Sequence, residues 1–154
     1  RESLMLSLAL ALAAPLPSFE FGGLRASEPI EADSPELTMC VGQPAKRYCK
    51  LTRPSFADIA IRYSNVVTHD GLLYGLFIGG DAADYSQAVE ALKLKYGKPA
   101  STDLFATTPG RQQFTRAATW RFAEGFLNIQ MVDGERQFLM TFGSNRKTTP
   151  KVDF

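Results

Sequence analysis

Residues 72–99, LLYGLFIGGDAADYSQAVEALKLKYGKP, contain an apolar strand followed by a helix with a defined start, face and end. The run LLYGLFI predicts a strand, and the glycine pair after it predicts a strand-to-helix turn. Asp81 has the chemistry of an N-cap, Gly97 suits the C-terminal cap, and Pro99 prevents the helix from continuing. Between these ends the apolar residues recur at helical spacing: Tyr85, Ala88, Val89, Leu92 and Tyr96. We therefore predict one helix over Asp81–Tyr96.

Strand and turn signals flank this helix on both sides. Before it, residues 56–69 alternate between apolar and polar positions, and Asp70-Gly71 is a strong hairpin signal. After it, residues 101–111 are predicted to form a polar loop. Three strand candidates follow, joined by acid-glycine turns: Phe114–Phe122, Phe126–Val132 and Gln137–Phe142. The expected fold class is α+β, an antiparallel sheet of about five strands in the order ββαβββ with one main helix on one face.

The apolar run at residues 4–14, LMLSLALALAA, has the pattern of a secretory signal peptide. It is shorter than the roughly 20 residues of a membrane-spanning helix. Small residues at Ala11 and Ala13 fit cleavage that leaves Ala14 as the first residue. The alternative is that the run is a buried part of the fold or an apolar arm. The expected organisation is a signal peptide or arm over 1–13, one domain over 14–146, and a flexible tail over 147–154.

The two cysteines, Cys40 and Cys49, are separated by eight residues. This spacing differs from the two-residue spacing of thioredoxin-like motifs and zinc sites. In the oxidising compartment that a signal peptide implies, the pair is predicted to form a structural disulfide around an irregular loop. A redox or ligand-gripping role for that loop is the alternative.

Charge is balanced over the chain, with 17 basic and 16 acidic residues and a net charge of +1. Such a balance gives no reason to expect a nucleic-acid partner. The cysteine region is nevertheless locally basic, because residues 41–57 contain four cations and no acid. We consider these cations a candidate partner-binding patch, with a solvated loop as the alternative: Lys46, Arg47, Lys50 and Arg53.

Catalytic and cofactor signatures are sparse in this sequence. His69 is the only histidine, so a metal site would lack ligands, and no cofactor or metal is expected. A small hydrolase would have to use His69 with Asp70 and a distant acid such as Asp103 or Glu124. The alternative is that His69 is an exposed turn residue.

The helix ending Leu92–Pro99 (LKLKYGKP) and the tryptophan strand Thr119–Arg121, together with an exported leader and a cysteine pair, resemble small periplasmic proteins of unknown function from proteobacteria. The helix-on-sheet arrangement is similar to that of the beta-lactamase inhibitor protein. This resemblance implies a binding role rather than catalysis and carries no partner-contacting residue to this chain.

These observations predict an exported, non-catalytic protein-binding or inhibitor-like domain in the periplasm or outside the cell. Its partner is expected to be an unidentified protein of the cell envelope. The alternative is an accessory subunit of a membrane-associated complex, held by the apolar residues 1–14. Contact with a membrane is expected only if those residues are retained.

Overall fold

The computed structural model describes residues 15–106 and 114–146 of the chain. Their main feature is one eight-stranded sheet with a single α-helix. The strands are β1 (Leu37–Gln43), β2 (Lys46–Leu51), β3 (Tyr63–His69), β4 (Leu72–Asp81), β5 (Ser101–Ala106), β6 (Phe114–Phe122), β7 (Gly125–Val132) and β8 (Gln137–Ser144). The helix α1 (Tyr85–Tyr96) lies between β4 and β5 in the chain.

All neighbouring strands of this sheet are antiparallel, in the order β1-β2-β3-β4-β8-β7-β6-β5. The first four strands form one meander and the last four form another. The ladder between β4 and β8 joins the two halves. The predicted α+β class with an antiparallel sheet and one helix is confirmed, but the prediction of about five strands was too low.

Two of the additional strands lie in the cystine region, which was predicted to be an irregular loop. Leu37 pairs with Leu51 and Val41 pairs with Tyr48, so β1 and β2 form a hairpin with a bulge between Thr38 and Val41. The predicted disulfide between Cys40 and Cys49 is present and joins these two strands. A disulfide is compatible with an oxidising compartment.

The third additional strand is β5, in the segment predicted as a polar loop. Its residues pair with β6, with Ser101 opposite Thr119 and Ala106 opposite Phe114. Because β5 is an edge strand with water on one side, polar residues are compatible with it.

The hairpin predicted at Asp70-Gly71 is confirmed. Both residues have positive φ, 52° and 80°, as a tight type I′ connection between β3 and β4 requires. The strand before it begins later than predicted, at Tyr63. Ala57 and Asp58 also have positive φ, 48° and 63°, and they reverse the chain into a separate small hairpin that pairs residues 55–56 with 59–60.

The predicted helix is confirmed over Tyr85–Tyr96, whereas its predicted first residues form a 3₁₀ turn over Ala82–Asp84. Asp81 lies at the N-cap position of this turn, as predicted, but makes no side-chain capping bond. Its carboxylate instead pairs with the Arg62 guanidinium, at 3.0 Å between Oδ2 and Nη2. At the other end Gly97 has a φ of 84°, and its N–H donates to the Lys93 carbonyl oxygen at 2.8 Å.

The core lies between one face of the sheet and three segments that cover it: the N-terminal hairpin that pairs residues 20–21 with 24–25, α1, and the small hairpin over residues 55–60. Trp120 is buried in this core, as its strand parity predicts, and its indole N–H donates to the Gly97 carbonyl oxygen at 2.9 Å. This bond fixes the end of the helix against β6. The predictions for residues 1–13 and 147–154 lie outside the described residues.

Candidate functional site

The two faces of the sheet differ in what covers them. Alternate residues such as Val66, Leu76 and Phe142 point into the core and are fully buried. The residues between them point to the opposite side, which we call the outer face. The covering segments among the described residues pack on the core face. The outer face has many exposed side chains, although its residues Val67, Thr115 and Ala117 are buried.

Exposed apolar side chains are concentrated on this outer face. Among the described residues nine large apolar side chains are exposed, and the strand register places five of them on the outer face. These five are Val41, Tyr48, Tyr63, Phe126 and Leu139. A clustered set of exposed apolar groups on a folded domain indicates an interaction surface, whereas scattered ones do not.

The pairing of residues across successive strands arranges this surface in rows, and one row of the outer face shows how. Tyr48 on β2 and Phe126 on β7 stand in the same row, four ladder steps or about 19 Å apart. Between them lie Val67 and two directly opposed glycines, Gly75 and Gly143. A Cβ at Gly143 would meet no atom within 4 Å. A Cβ at Gly75, in contrast, would lie 3.0 Å from the Phe77 ring. The row is therefore open at Gly143 and covered by Phe77 at Gly75, with an aromatic side chain toward each end.

Cations accompany the aromatic rings of the outer face. Lys46 and Lys50 share the parity of Tyr48, and their Nζ atoms lie 5.6 Å and 4.9 Å from the ring centroids of Tyr48 and Tyr63. Such contacts stabilise a cation over a ring. The Nζ of Lys50 also donates to the Ser64 carbonyl oxygen at 3.1 Å. We define the outer-face patch as Val41, Lys46, Tyr48, Lys50, Tyr63, Phe126 and Leu139.

The structure divides the four cations predicted as one patch. Lys46 and Lys50 belong to the outer-face patch. Arg47 has the parity of the buried Cys49, so it points to the core side of β2. Arg53 follows the strand and lies beside Gly22 of the N-terminal hairpin, where its Nη1 would be 3.6 Å from a Cβ at that glycine.

The distant acids considered for hydrolysis do not join His69 and Asp70. His69, at the end of β3, and Asp103, on β5, are separated by five ladder steps, about 24 Å across the sheet, and their rows are several residues apart along the strands. The Glu124 carboxylate accepts hydrogen bonds from the Ser18 hydroxyl and from the Phe19 N–H, and thereby anchors the N-terminal segment. Asp70 lies in the β3–β4 turn.

His69 has an unusual environment of its own. Its ring stacks on Tyr74 with centroids 3.8 Å apart and planes 8° apart. The Nε2 atom is buried and has no hydrogen-bond partner among the described residues. Burial lowers the pKa of His69, the positive charges of Lys46 and Arg146 lower it further, and Asp70 raises it. Sequence reasoning identified this residue but could not place the stacking partner.

A groove of about 370 Å³ opens on the other side of the sheet, where α1 does not reach β5. Its walls include Tyr85, Val89 and Ala118, and the exposed Leu104 stands at its edge. The guanidinium of Arg116 lines it and lies 4.0 Å from the Asp133 carboxylate. The lining also contains the acids Glu90 and Asp103, so this groove lacks the cationic character of the outer face.

Within residues 15–106 and 114–146, no group of three or more His, Cys, Asp or Glu side chains is arranged to hold a metal ion. In the same ranges, no helix combines the length and the apolar character needed to cross a membrane. Comparisons with protein-family models, with curated proteins and with solved structures find no match to this chain.

Proposed function

We propose that this protein is an exported binding domain that docks a partner protein through the outer-face patch. The observation that carries the proposal is the placement of five exposed large apolar side chains on one face of the sheet, opposite the face that holds the core. Aromatic groups are enriched at protein interfaces because they bury much area at little entropic cost. The patch supplies Tyr48, Tyr63 and Phe126.

Charge defines the partner further. The patch contains Lys46 and Lys50 and no acidic residue. Neither lysine forms an ion pair with any side chain in the described part of the chain. A partner surface that combines apolar side chains with carboxylates complements this patch.

The proposed location is the periplasm or the extracellular space. The cystine between Cys40 and Cys49 and the apolar run at residues 4–14 support it. Intact-mass measurement of the protein isolated from its host tests this part: the expected mass lacks residues 1–13 and shows both cysteines oxidised. A mass that retains those residues or shows free thiols in the native protein contradicts it.

Site-specific photo-crosslinking in the host tests the docking surface. A photoreactive phenylalanine analogue is placed at Tyr63 or at Phe126, which are 46 % and 49 % exposed. The matched control is Leu94, which is 90 % exposed but lies on the helix, away from the outer face. We expect the same protein adduct from both outer-face positions and none from the control.

The effect of surface substitution completes this test. The double variant Tyr48→Ser, Tyr63→Ser is expected to lose the adduct formed at Phe126 while its far-ultraviolet circular dichroism stays unchanged. Leu94→Ser is expected to retain the adduct. Equal crosslinking from all three positions, or a protein that is always recovered alone from its native envelope, would overturn the proposal.

A further inference from the structure

Three cationic or ionisable side chains from different parts of the chain meet at one end of the outer face. Arg47 pairs with Thr68 between β2 and β3, so the next position places Lys46 opposite His69 on the outer side. Arg146 follows β8, and its Nη2 donates to the His69 carbonyl oxygen at 3.2 Å. We call Lys46, His69 and Arg146 the cationic corner.

The imidazole at the centre of this corner is held in place. Tyr74, on β4, stacks on His69 with ring planes only 8° apart, which restricts rotation of the imidazole. The buried Nε2 atom lacks a hydrogen-bond partner among the described residues. A buried polar atom without a partner is unusual in a folded protein and calls for an explanation, such as an ion or ligand.

The corner has more positive than negative charge facing it. Lys46 approaches from β2 and Arg146 from the segment after β8, while Asp70, in the adjoining turn, is the acid that acts on His69. In the described ranges no carboxylate lies within ion-pair distance of Lys46 or Arg146. Two permanent cations with one neighbouring acid leave a site for an additional negative group.

We infer that the cationic corner binds a carboxylate of the partner protein, an Asp or Glu side chain that docks beside the aromatic rings of the outer-face patch. This inference rests on the proposed function for the nature of the partner. The planar guanidinium of Arg146 can donate hydrogen bonds to both oxygens of a carboxylate, and the Lys46 ammonium supplies a second positive charge. When it is protonated, His69 adds a third positive charge beside the bound group.

Proton NMR of the imidazole tests the site directly, because His69 is the only histidine of the chain. The probe is acetate, added at constant ionic strength against chloride while the pH is varied. A bound carboxylate favours the protonated imidazole, so we expect the pKa of His69 to rise by about one unit at saturation. Acetate and chloride titrations that coincide would overturn the inference.

Substitutions show which side chains make the site. Lys46→Met and Arg146→Met are each expected to raise the pKa of His69 without acetate and to weaken its response to acetate several-fold. The matched control is Lys98→Met, at an exposed position after the helix, which should change neither. A full acetate response in both corner variants would contradict the assignment.

A parallel titration with inorganic phosphate distinguishes the class of anion. Comparable or stronger binding of acetate supports a carboxylate partner, whereas a response to phosphate alone would overturn that choice in favour of a phosphorylated or lipid group. Neither titration needs the partner protein. Failure here therefore leaves the crosslinking test of the outer-face patch standing, and failure of the crosslinking leaves an anion site that serves another ligand.

Discussion

The ring of Phe19 stacks on the ring of Phe142, with centroids 4.1 Å apart and planes 4° apart. Phe122 meets Phe19 edge-on, with the centroids 5.0 Å apart. Phe19 belongs to the N-terminal segment, and Phe142 belongs to β8, the strand at which the two halves of the sheet meet. Both rings are fully buried. The N-terminal segment is thus a component of the core.

Replacement of Phe19 by alanine tests this role. Loss of a buried phenylalanine removes apolar contacts and leaves a cavity, so Phe19→Ala is expected to lower the free energy of unfolding by about 3–5 kcal/mol. Urea denaturation followed by circular dichroism measures this loss. The control Leu94→Ala, at a 90 % exposed position, should change stability by less than about 0.5 kcal/mol. Similar losses in the two variants would contradict a core role for the N-terminal segment.

The cystine between Cys40 and Cys49 is expected to stabilise the β1–β2 hairpin. The cysteines are nine positions apart in the sequence. Closing a loop of this size lowers the entropy of the unfolded chain, which raises the free energy of unfolding by about 2.5–3 kcal/mol. The double variant Cys40→Ala, Cys49→Ala should lose this amount in urea denaturation. Dithiothreitol should destabilise the wild-type protein by a comparable amount and leave the double variant unchanged. A reductant effect of equal size on both proteins would show that it acts elsewhere.

Tyr96 is expected to make stability fall at alkaline pH. Burial raises the pKa of its phenol and the nearby Glu20 carboxylate raises it further, while the hydroxyl donates to the Glu20 carbonyl oxygen at 2.6 Å. The folded state keeps the phenol neutral where the unfolded state ionises. The stability that the neutral Tyr96 phenol contributes is therefore fully present below the ordinary pKa of 10.0 and is lost as the pH rises above that value.

The variant Tyr96→Phe separates these effects. Its free energy of unfolding should be about 1 kcal/mol lower at neutral pH, because one hydrogen bond is removed. Above pH 10 its stability should fall less steeply than that of the wild-type protein. The exposed Tyr63 provides the control Tyr63→Phe, which is expected to keep the wild-type decline. Denaturant titrations across this pH range measure the slope, and an unchanged slope in Tyr96→Phe would disprove the assignment.

Gly125 is expected to tolerate no side chain. A Cβ at this position would overlap the carbonyl oxygen of Gly143 on the neighbouring strand β8. Gly125→Ala should therefore destabilise the fold by about 3 kcal/mol, the upper range for overpacking. Gly143→Ala is the matched control, since a Cβ there meets nothing within 4 Å and should change stability by about 0.5 kcal/mol or less. Thermal unfolding of the two variants provides the comparison.

The features predicted from sequence are those whose causes lie within a few residues. The Asp70-Gly71 turn and the Gly97 helix end depend on local backbone preferences, and both are present. The strands β1, β2 and β5 are formed instead by pairing with a neighbouring strand, and their polar residues are tolerated at or near the sheet edges. Their own residues lack the apolar alternation that marks a strand in the sequence. Asp81 shows the same principle at a helix start, because tertiary pairing with Arg62 replaces the local capping bond.

The candidate site was less predictable than the fold. Adjacent cations in the sequence suggested one patch, but strand alternation sends Lys46 and Arg47 to opposite sides of β2. Tyr48 and Phe126 come into one row only through the register of several ladders. No local pattern contains that register, so the outer-face patch could not be identified before the strands were placed.

The division of the sheet into two meanders has a consequence for the order of folding. Within each half, consecutive strands pair through short connections, and these contacts close small loops. The β4–β8 ladder is different, because it joins Asp81 to Gln137 and brings together segments separated by the helix and three strands. Its closure carries a larger entropic cost than any hairpin. We therefore expect the seam between β4 and β8 to form late and to govern the folding rate, so that the continuous row of the outer face exists only after the two halves have joined.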